Sequence, residues 1–206
     1  MSGRCFAGNA ALLGCCDVII ATENSSIGMG GPAMIEGGGL GVFKPEEVGP
    51  IDMQTKSGVV DVRVHDEAAA VAVAKRYLGY FQGPHATWSC ADQAALRDVM
   101  PASRRRVYRI RPILETIADT GSVLELRADF GKSIVTALAR IEGRPLGVIA
   151  NDTYHLAGAI DSDAARVTGS GRRPWQAGTS ARRSSPSRGR PASSAAWASK
   201  ERCASG

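Results

Sequence analysis

The chain has 206 residues, 44% of them hydrophobic, with a net charge of +5 and an isoelectric point near 9.1. That length suits one or two domains with a sizeable core. The basicity is confined to one end: from Ala164 onward nine Lys or Arg stand against one acid, about +8, which leaves about −3 on the rest, so the basic isoelectric point says nothing about the body's partners, and without a recognised motif in the Arg-rich tail no specific nucleic-acid partner is expected. No secretory leader or membrane-length apolar run is visible, so the expectation is a soluble, cytoplasmic protein without a membrane partner.

The opening segment, SGRCFAGNAALLGCC, predicts a short helix over residues 9–16, built from small and apolar residues and weakened by Gly14. The β-branched run 17–22 predicts a buried strand. Residues 26–41 are glycine-dense and predict a loop with one helical turn at 32–35. Pro45 followed by two glutamates suits a helix start, the acids facing the positive dipole end. Residues 59–64 alternate as a half-buried strand. Asp66 then caps a helix over 67–81 that stops at Gly83-Pro84.

Residues 84–103 predict a linker with one short helix around 92–100. The pattern then restarts, with a helix over 111–118 and strands over 123–126, 134–141 and 146–150. The last two flank a Gly- and Pro-containing turn and predict a hairpin. The body is therefore α/β, divided near residue 100. From Ala164 on, Val167 is the sole large aliphatic residue, with Trp175 and Trp197 isolated. Such a segment buries too little apolar area to offset an ordering cost of roughly 1–2 kcal/mol per residue, so disorder is predicted over 166–206.

Cys5, Cys15, Cys16, Cys90 and Cys203 form no CxxC and are odd in number, which fits thiols in a reducing compartment. Cys15 and Cys16 are expected as small buried hydrophobes. His65, His85 and His155 are isolated, without metal-ligand spacing, and no metal is expected. The acids of Asp161-Ser162-Asp163 are expected at a helix N-cap. Gly28-Met29-Gly30-Gly31-Pro32-Ala33 matches a GxGxxA pattern, but Gly37-Gly38-Gly39 leaves no helix long enough to aim a dipole at a pyrophosphate. The junction at Gly8 is more informative. A glycine followed by small residues at a helix entrance exposes backbone N–H groups that an approaching carbonyl oxygen can reach, as in an oxyanion hole; the same pattern also serves tight helix–strand packing.

Four blocks carry a resemblance: FAGNAALLGCCDVIIAT, SSIGMGGPAMIEGGGLGVFKPEEVGP, DTGSVLELRADFGKSIVTALARIEGRPLGVIAND and HLAGAIDSDAA. In this order and spacing they resemble the carboxyltransferase (β) subunits of biotin-dependent acyl-CoA carboxylases, the acetyl-, propionyl- and methylcrotonyl-CoA carboxylase group. The resemblance implies a crotonase-like fold, a spiral of ββα units, here incomplete and in parts of two such domains: residues 1–105 from the first and 106–165 from the second, followed by the basic tail 166–206. It implies transfer of a carboxyl group from carboxybiotin to the α-carbon of an acyl-CoA. It further implies biotin on a separate carrier domain or subunit, a biotin carboxylase partner and a homo-oligomer. Ala7-Gly8-Asn9-Ala10 aligns with the family's AGGA-like motif, which makes the backbone N–H groups of Gly8 and Asn9 the candidate oxyanion-hole donors; Asn replaces the second glycine. Ala7, Gly30, Gly31 and Pro32 are the candidate acyl-CoA contacts.

The resemblance ends near Ala165, before the family's second oxyanion hole. The tail has the composition of a GC-rich gene read in a wrong frame. The expectation is therefore a truncated or frameshifted product, inactive by itself. The alternative is a non-catalytic module that binds acyl-CoA or another subunit.

Overall fold

The computed structural model describes residues 1–171 apart from 100, 102, 104 and 105, with backbone alone at 169–171. In chain order the strands are β1 (Arg4–Phe6), β2 (Ile20–Thr22), β3 (Ser26–Gly28), β4 (Val62–Val64), β5 (Leu124–Leu126), β6 (Ile134–Ile141) and β7 (Arg144–Asn151). The helices are α1 (Gly8–Gly14), α2 (Pro32–Gly37), α3 (Ile51–Lys56), α4 (Glu67–Gly79), α5 (Leu96–Val99), α6 (Ile110–Ile117) and α7 (Ser162–Gly171). Single 3-10 turns occupy Pro45–Glu47, Gln93–Ala95 and Leu156–Gly158.

The first half is built from parallel pairs. β1 lies beside β3 with Arg4 opposite Ser26 and Phe6 opposite Gly28, and β2 lies beside β4 with Ile20 opposite Val62. β1 and β3 each run into a short helix, and β4 runs into α4 through the Asp66 cap, whose carboxylate accepts from Ala69 N–H at 2.8 Å. Cys5, Ala10, Ile19, Ala21, Ile27, Ile51 and Val60 close over one another between these pairs as one core.

The second half is an antiparallel sheet in the order β5-β6-β7. β6 is buried from Ile134 to Arg140, while β7 alternates between half-buried and exposed positions and pairs among the described residues with β6 alone. Pro145 sits at the start of this edge strand, where a missing N–H is tolerated. Glu142 and Gly143, both at positive φ (52° and 72°), form a two-residue hairpin turn of the kind that matches the strand twist. Asp119 holds that turn: its two carboxylate oxygens accept from Glu142 N–H at 2.9 Å and Gly143 N–H at 2.7 Å.

The halves share side chains. Tyr80, Leu124, Leu126 and Leu138 form a second core, with Val62, Val73, Tyr77 and Phe81 packed against it. Arg127 reaches back across the sequence, donating from Nε to Asp61 Oδ1 at 2.8 Å, and its own N–H donates to Asp61 O at 2.7 Å. Gly58, at φ +76°, has no room for a side chain because a Cβ there would stand 2.5 Å from the Phe130 ring.

Several expectations need correction. The strand over 17–22 shrinks to β2, and the strand over 59–64 to β4, whose ladder covers three residues of each; the expected alternation fails at Val60 and Asp61, which are both buried. β1, β3 and α3 escaped the pattern; the first two span three residues each, too few for periodicity to register. Cys15 and Cys16 are exposed, not buried, since α1 turns only Ala10 fully inward. Disorder from 166 is overturned over its first residues: α7 continues to Gly171, and Val167 packs against Phe130, Ile134 and Ala164 in a third core. Its start agrees with the cap expectation, Asp161 Oδ1 accepting from Ala164 N–H at 2.7 Å. The remainder of the disorder expectation, over 172–206, lies outside the described residues.

Candidate active site

The site begins with a backbone reversal. Directly after β1, Ala7 takes φ 53° and ψ −123°, a region that side chains normally avoid. Such an outlier costs about 1–3 kcal/mol and persists where the surroundings over-determine it, commonly at functional turns. Here two bonds hold it: Ala7 N–H donates to Gly28 O at 3.2 Å, and Ala11 N–H donates to Ala7 O at 3.0 Å. The reversal points the first amides of α1 outward. Among the described residues, neither Gly8 N–H nor Asn9 N–H reaches a protein acceptor. Nothing lies within 4 Å of the position a Gly8 Cβ would take.

The strand pairing brings the second glycine-rich turn alongside. Because β1 and β3 are parallel and in register, their carboxyl ends coincide, with Phe6 opposite Gly28. The open turn after each strand therefore emerges on the same edge, where ligand sites of parallel sheets form. Gly31 caps α2, and Pro32 occupies its first position, where the absent N–H costs nothing. A Cβ on Gly31 would stand 3.4 Å from Phe6 Cβ, and one on Gly28 would stand 3.6 Å from Phe6 Cδ1, so the second turn lies within van der Waals reach of the first through the Phe6 side chain. Gly30 is half-buried beside Ile35. All six sequence-derived positions, Ala7, Gly8, Asn9, Gly30, Gly31 and Pro32, thus belong to two adjacent strand-to-helix turns. α2 spans six residues before the glycine run ends it.

Ala7, Gly8 and Asn9 are exposed, and so are the apolar side chains nearby in sequence: Leu12, Met29 and Met34, then Leu40 and Val42 beyond α2. Among the described residues, Gly8 and Asn9 stand open to solvent. Among the described residues, no group of three His, Cys, Asp or Glu is placed to hold a metal ion. No helix among them is long and apolar enough to cross a membrane.

Sequence reasoning missed the polar framework behind these turns. Asp61 is buried; its Oδ2 accepts from Ile19 N–H at 2.8 Å and its Oδ1 from Arg127. Burial pushes its carboxyl above the ordinary value, against the opposing pull of the Ile19 N–H and the Arg127 charge. The signal was present as an acid in the middle of the apolar run VVDVRV. Arg140 is likewise buried, donating to the carbonyls of Gly79 (2.6 Å), Gly83 (3.0 Å) and Gly143 (2.6 Å). On the neighbouring surface Arg111 forks onto Glu125 at 2.6 and 2.9 Å and reaches Asp152 at 2.7 Å.

Paired parallel strands that turn at their carboxyl ends into short helices, with free amides at one turn, agree with the crotonase-like carboxyltransferase fold that the sequence resemblance implies. Residues 1–169 match the carboxyl transferase domain family, and the chain belongs to that family. It is 32% identical to the beta1 subunit of the biotin-dependent 3-methylcrotonyl-coenzyme A carboxylase of Mycobacterium tuberculosis, over 73% of this chain and 30% of the subunit. Among solved structures it resembles a single-chain, multi-domain long-chain acyl-CoA carboxylase, with a TM-score of 0.84 and 56% identity over 87% of this chain and 18% of the other. It also resembles the transcarboxylase 12S subunit, with a TM-score of 0.71 and 26% identity over 83% of this chain and 35% of the other. The chain spans about a third of the length of the curated relatives it matches.

Proposed function

We propose that this chain carries the acyl-CoA half of a biotin-dependent carboxyltransferase site, in which the N–H groups of Gly8 and Asn9 receive the thioester oxygen of an acyl-CoA. The observation that carries the reading is the pair of unengaged amides at the Ala7 reversal, set against the Gly28–Pro32 turn. Removing a proton from the α-carbon of a thioester moves negative charge onto its oxygen. Two fixed N–H donors lower that charge's energy, and one donor of this kind is worth about 10²–10³ in rate. Because the donors are backbone groups, Asn9 supplies its N–H as a glycine would. The glycines at 30 and 31 and the ring of Pro32 line the approach of the acyl group.

Carboxybiotin, presented by a separate carrier domain or subunit and loaded by a biotin carboxylase, is the co-substrate that supplies the carboxyl group. The resemblance assigns its ureido oxygen to a second oxyanion hole in the second domain. No step is assigned to this chain there. The two halves, 1–105 and 106–165, are read as portions of the two successive crotonase-like domains. Assembly into a homo-oligomer follows the transcarboxylase 12S relative, whose structure is a hexamer. A cytoplasmic location suits these partners.

With the two amides open to water, their field is weakened by solvent, so the chain alone binds acyl-CoA without measurable turnover. Propionyl-CoA is expected to raise the melting temperature of the full chain. Asn9→Gly keeps that shift. Asn9→Pro, which removes the N–H in a helical first turn that tolerates proline, loses most of it. No shift with acyl-CoA of any chain length, or an equal shift in Asn9→Pro, refutes the reading. The second reading, a module that binds acyl-CoA or another subunit without catalysis, is favoured by the same exposure of Ala7, Gly8 and Asn9. Carboxyltransfer between propionyl-CoA and biotin, measured with the chain alone and then with added carboxylase subunits, separates the two readings. Turnover restored by the subunits supports the enzyme, and binding without turnover under both conditions supports the module.

A further inference from the structure

We propose that the cleft between the C-terminal half of α4, the segment 85–89 and the turn leading into β5 binds a phosphorylated small molecule with a planar ring, a nucleotide by class. The cleft is distinct from the turns at Ala7 and Gly28 and holds about 780 Å³, within the usual size of a small-molecule site.

Its chemistry is one-sided. Lys75 and Arg76 line it from α4, and Arg140 lines it from β6. Arg76 donates to the carbonyls of Gly121 and Val123, and Arg140 to three further carbonyls. Among the described residues no carboxylate pairs with either guanidinium or with Lys75. The one acid on the lining, Asp119, has both oxygens committed to the hairpin N–H groups of Glu142 and Gly143. The side chains of Thr87, Ser89 and Thr120 also line the cleft and hydrogen bond to no other described residue. Arg140 is itself buried and engaged by three carbonyls, so Lys75, the remaining N–H groups of Arg76 and the three hydroxyls are what is left to meet a ligand, the complement of phosphate oxygens. Trp88 adds an indole that is 43% exposed, a face on which a planar ring can stack.

Two sources share this chemistry: a free nucleoside polyphosphate and the nucleotide half of coenzyme A. Titration calorimetry of the full chain at low ionic strength with ATP, coenzyme A and adenosine distinguishes them. ATP is expected to bind and adenosine to bind far more weakly. Lys75→Gln, an exposed position whose change leaves the fold intact, weakens ATP about tenfold, and Trp88→Ala weakens it further. Coenzyme A that binds and weakens in the same way while ATP does not bind assigns the cleft to coenzyme A. The proposal is overturned if neither ligand binds, or if Lys75→Gln leaves their affinities unchanged. Coenzyme A binding that survives Lys75→Gln but is lost in Asn9→Pro overturns the cleft and leaves the acyl-CoA reading at Gly8 standing.

Discussion

Gly58→Ala tests how the two halves of the chain are joined. The added methyl group meets the Phe130 ring at 2.5, 2.7 and 2.8 Å from three of its carbons. Phe130 is 6% exposed and packs with Ile134, Ala164 and Val167, so the ring has little freedom to withdraw. Displacing a core side chain costs about 1–3 kcal/mol, and an L-residue at φ +76° adds roughly 1–2 kcal/mol. Reduced freedom of the unfolded chain returns about 0.4–1 kcal/mol. The net loss is about 1–5 kcal/mol, read as a lower urea midpoint at unchanged slope. Phe130→Ala alone costs about 3–5 kcal/mol. In that background the steric part of Gly58→Ala disappears and only the backbone part remains. The double variant should therefore be more stable than the sum of the singles by about 1–3 kcal/mol. Additivity within about 0.5 kcal/mol would mean that the two residues do not touch, and the packing of the first half against the second would be wrong.

Replacing Arg127 with Met leaves the Asp61 carboxylate buried without its cation and should cost about 3–5 kcal/mol in denaturant unfolding; a loss below about 1 kcal/mol would refute the role of the pair. Because burial raises the native pKa of Asp61, the folded chain binds more protons than the unfolded chain from about pH 4 upward to that raised value. Stability from this group is therefore full below the window and falls as pH rises through it. Asp61→Asn should remove that part of the slope, and identical pH profiles for the two proteins would contradict it. Tyr77 is pushed up to about 12 by burial first and by the charges of Asp17 and Asp61 next. Tyr77→Phe should delete an alkaline phenol titration near that pH in the 295 nm absorbance, whereas loss of an ordinary titration near about pH 10 would place the ring in solvent.

Much of the architecture was legible because it depends on near neighbours. The Asp66 and Asp161 caps each satisfy an amide three residues away, so the side chain and its target lie in one short string. The hairpin of β6 and β7 follows from two apolar runs around a turn that only a Gly-containing pair fills easily. The candidate donors at Gly8 and Asn9 were legible for the same reason, since a helix entrance with small residues is a local feature. Where sequence pattern failed, the deciding partner was distant. β1 and β3 are three residues long and exist because each lies against the other across more than twenty residues. Asp61 looked like a solvent-facing strand residue until Arg127, 66 positions later, gave its carboxylate a buried partner.

What the sequence determined by itself was the class of element in each long segment and the place of the glycine-led helix entrance at Gly8, because caps, turns and periodicity act within a few residues. What tertiary structure alone decided was which turns meet. Parallel register sets the ends of β1 and β3 level, and so carries Gly28–Pro32 to the side of Ala7–Asn9. It also decided that α7 extends past Arg166, because Val167 loses its water only when Phe130 and Ile134 are there to cover it. Burial of this kind is a property of surfaces brought together, and no window of sequence contains both of them.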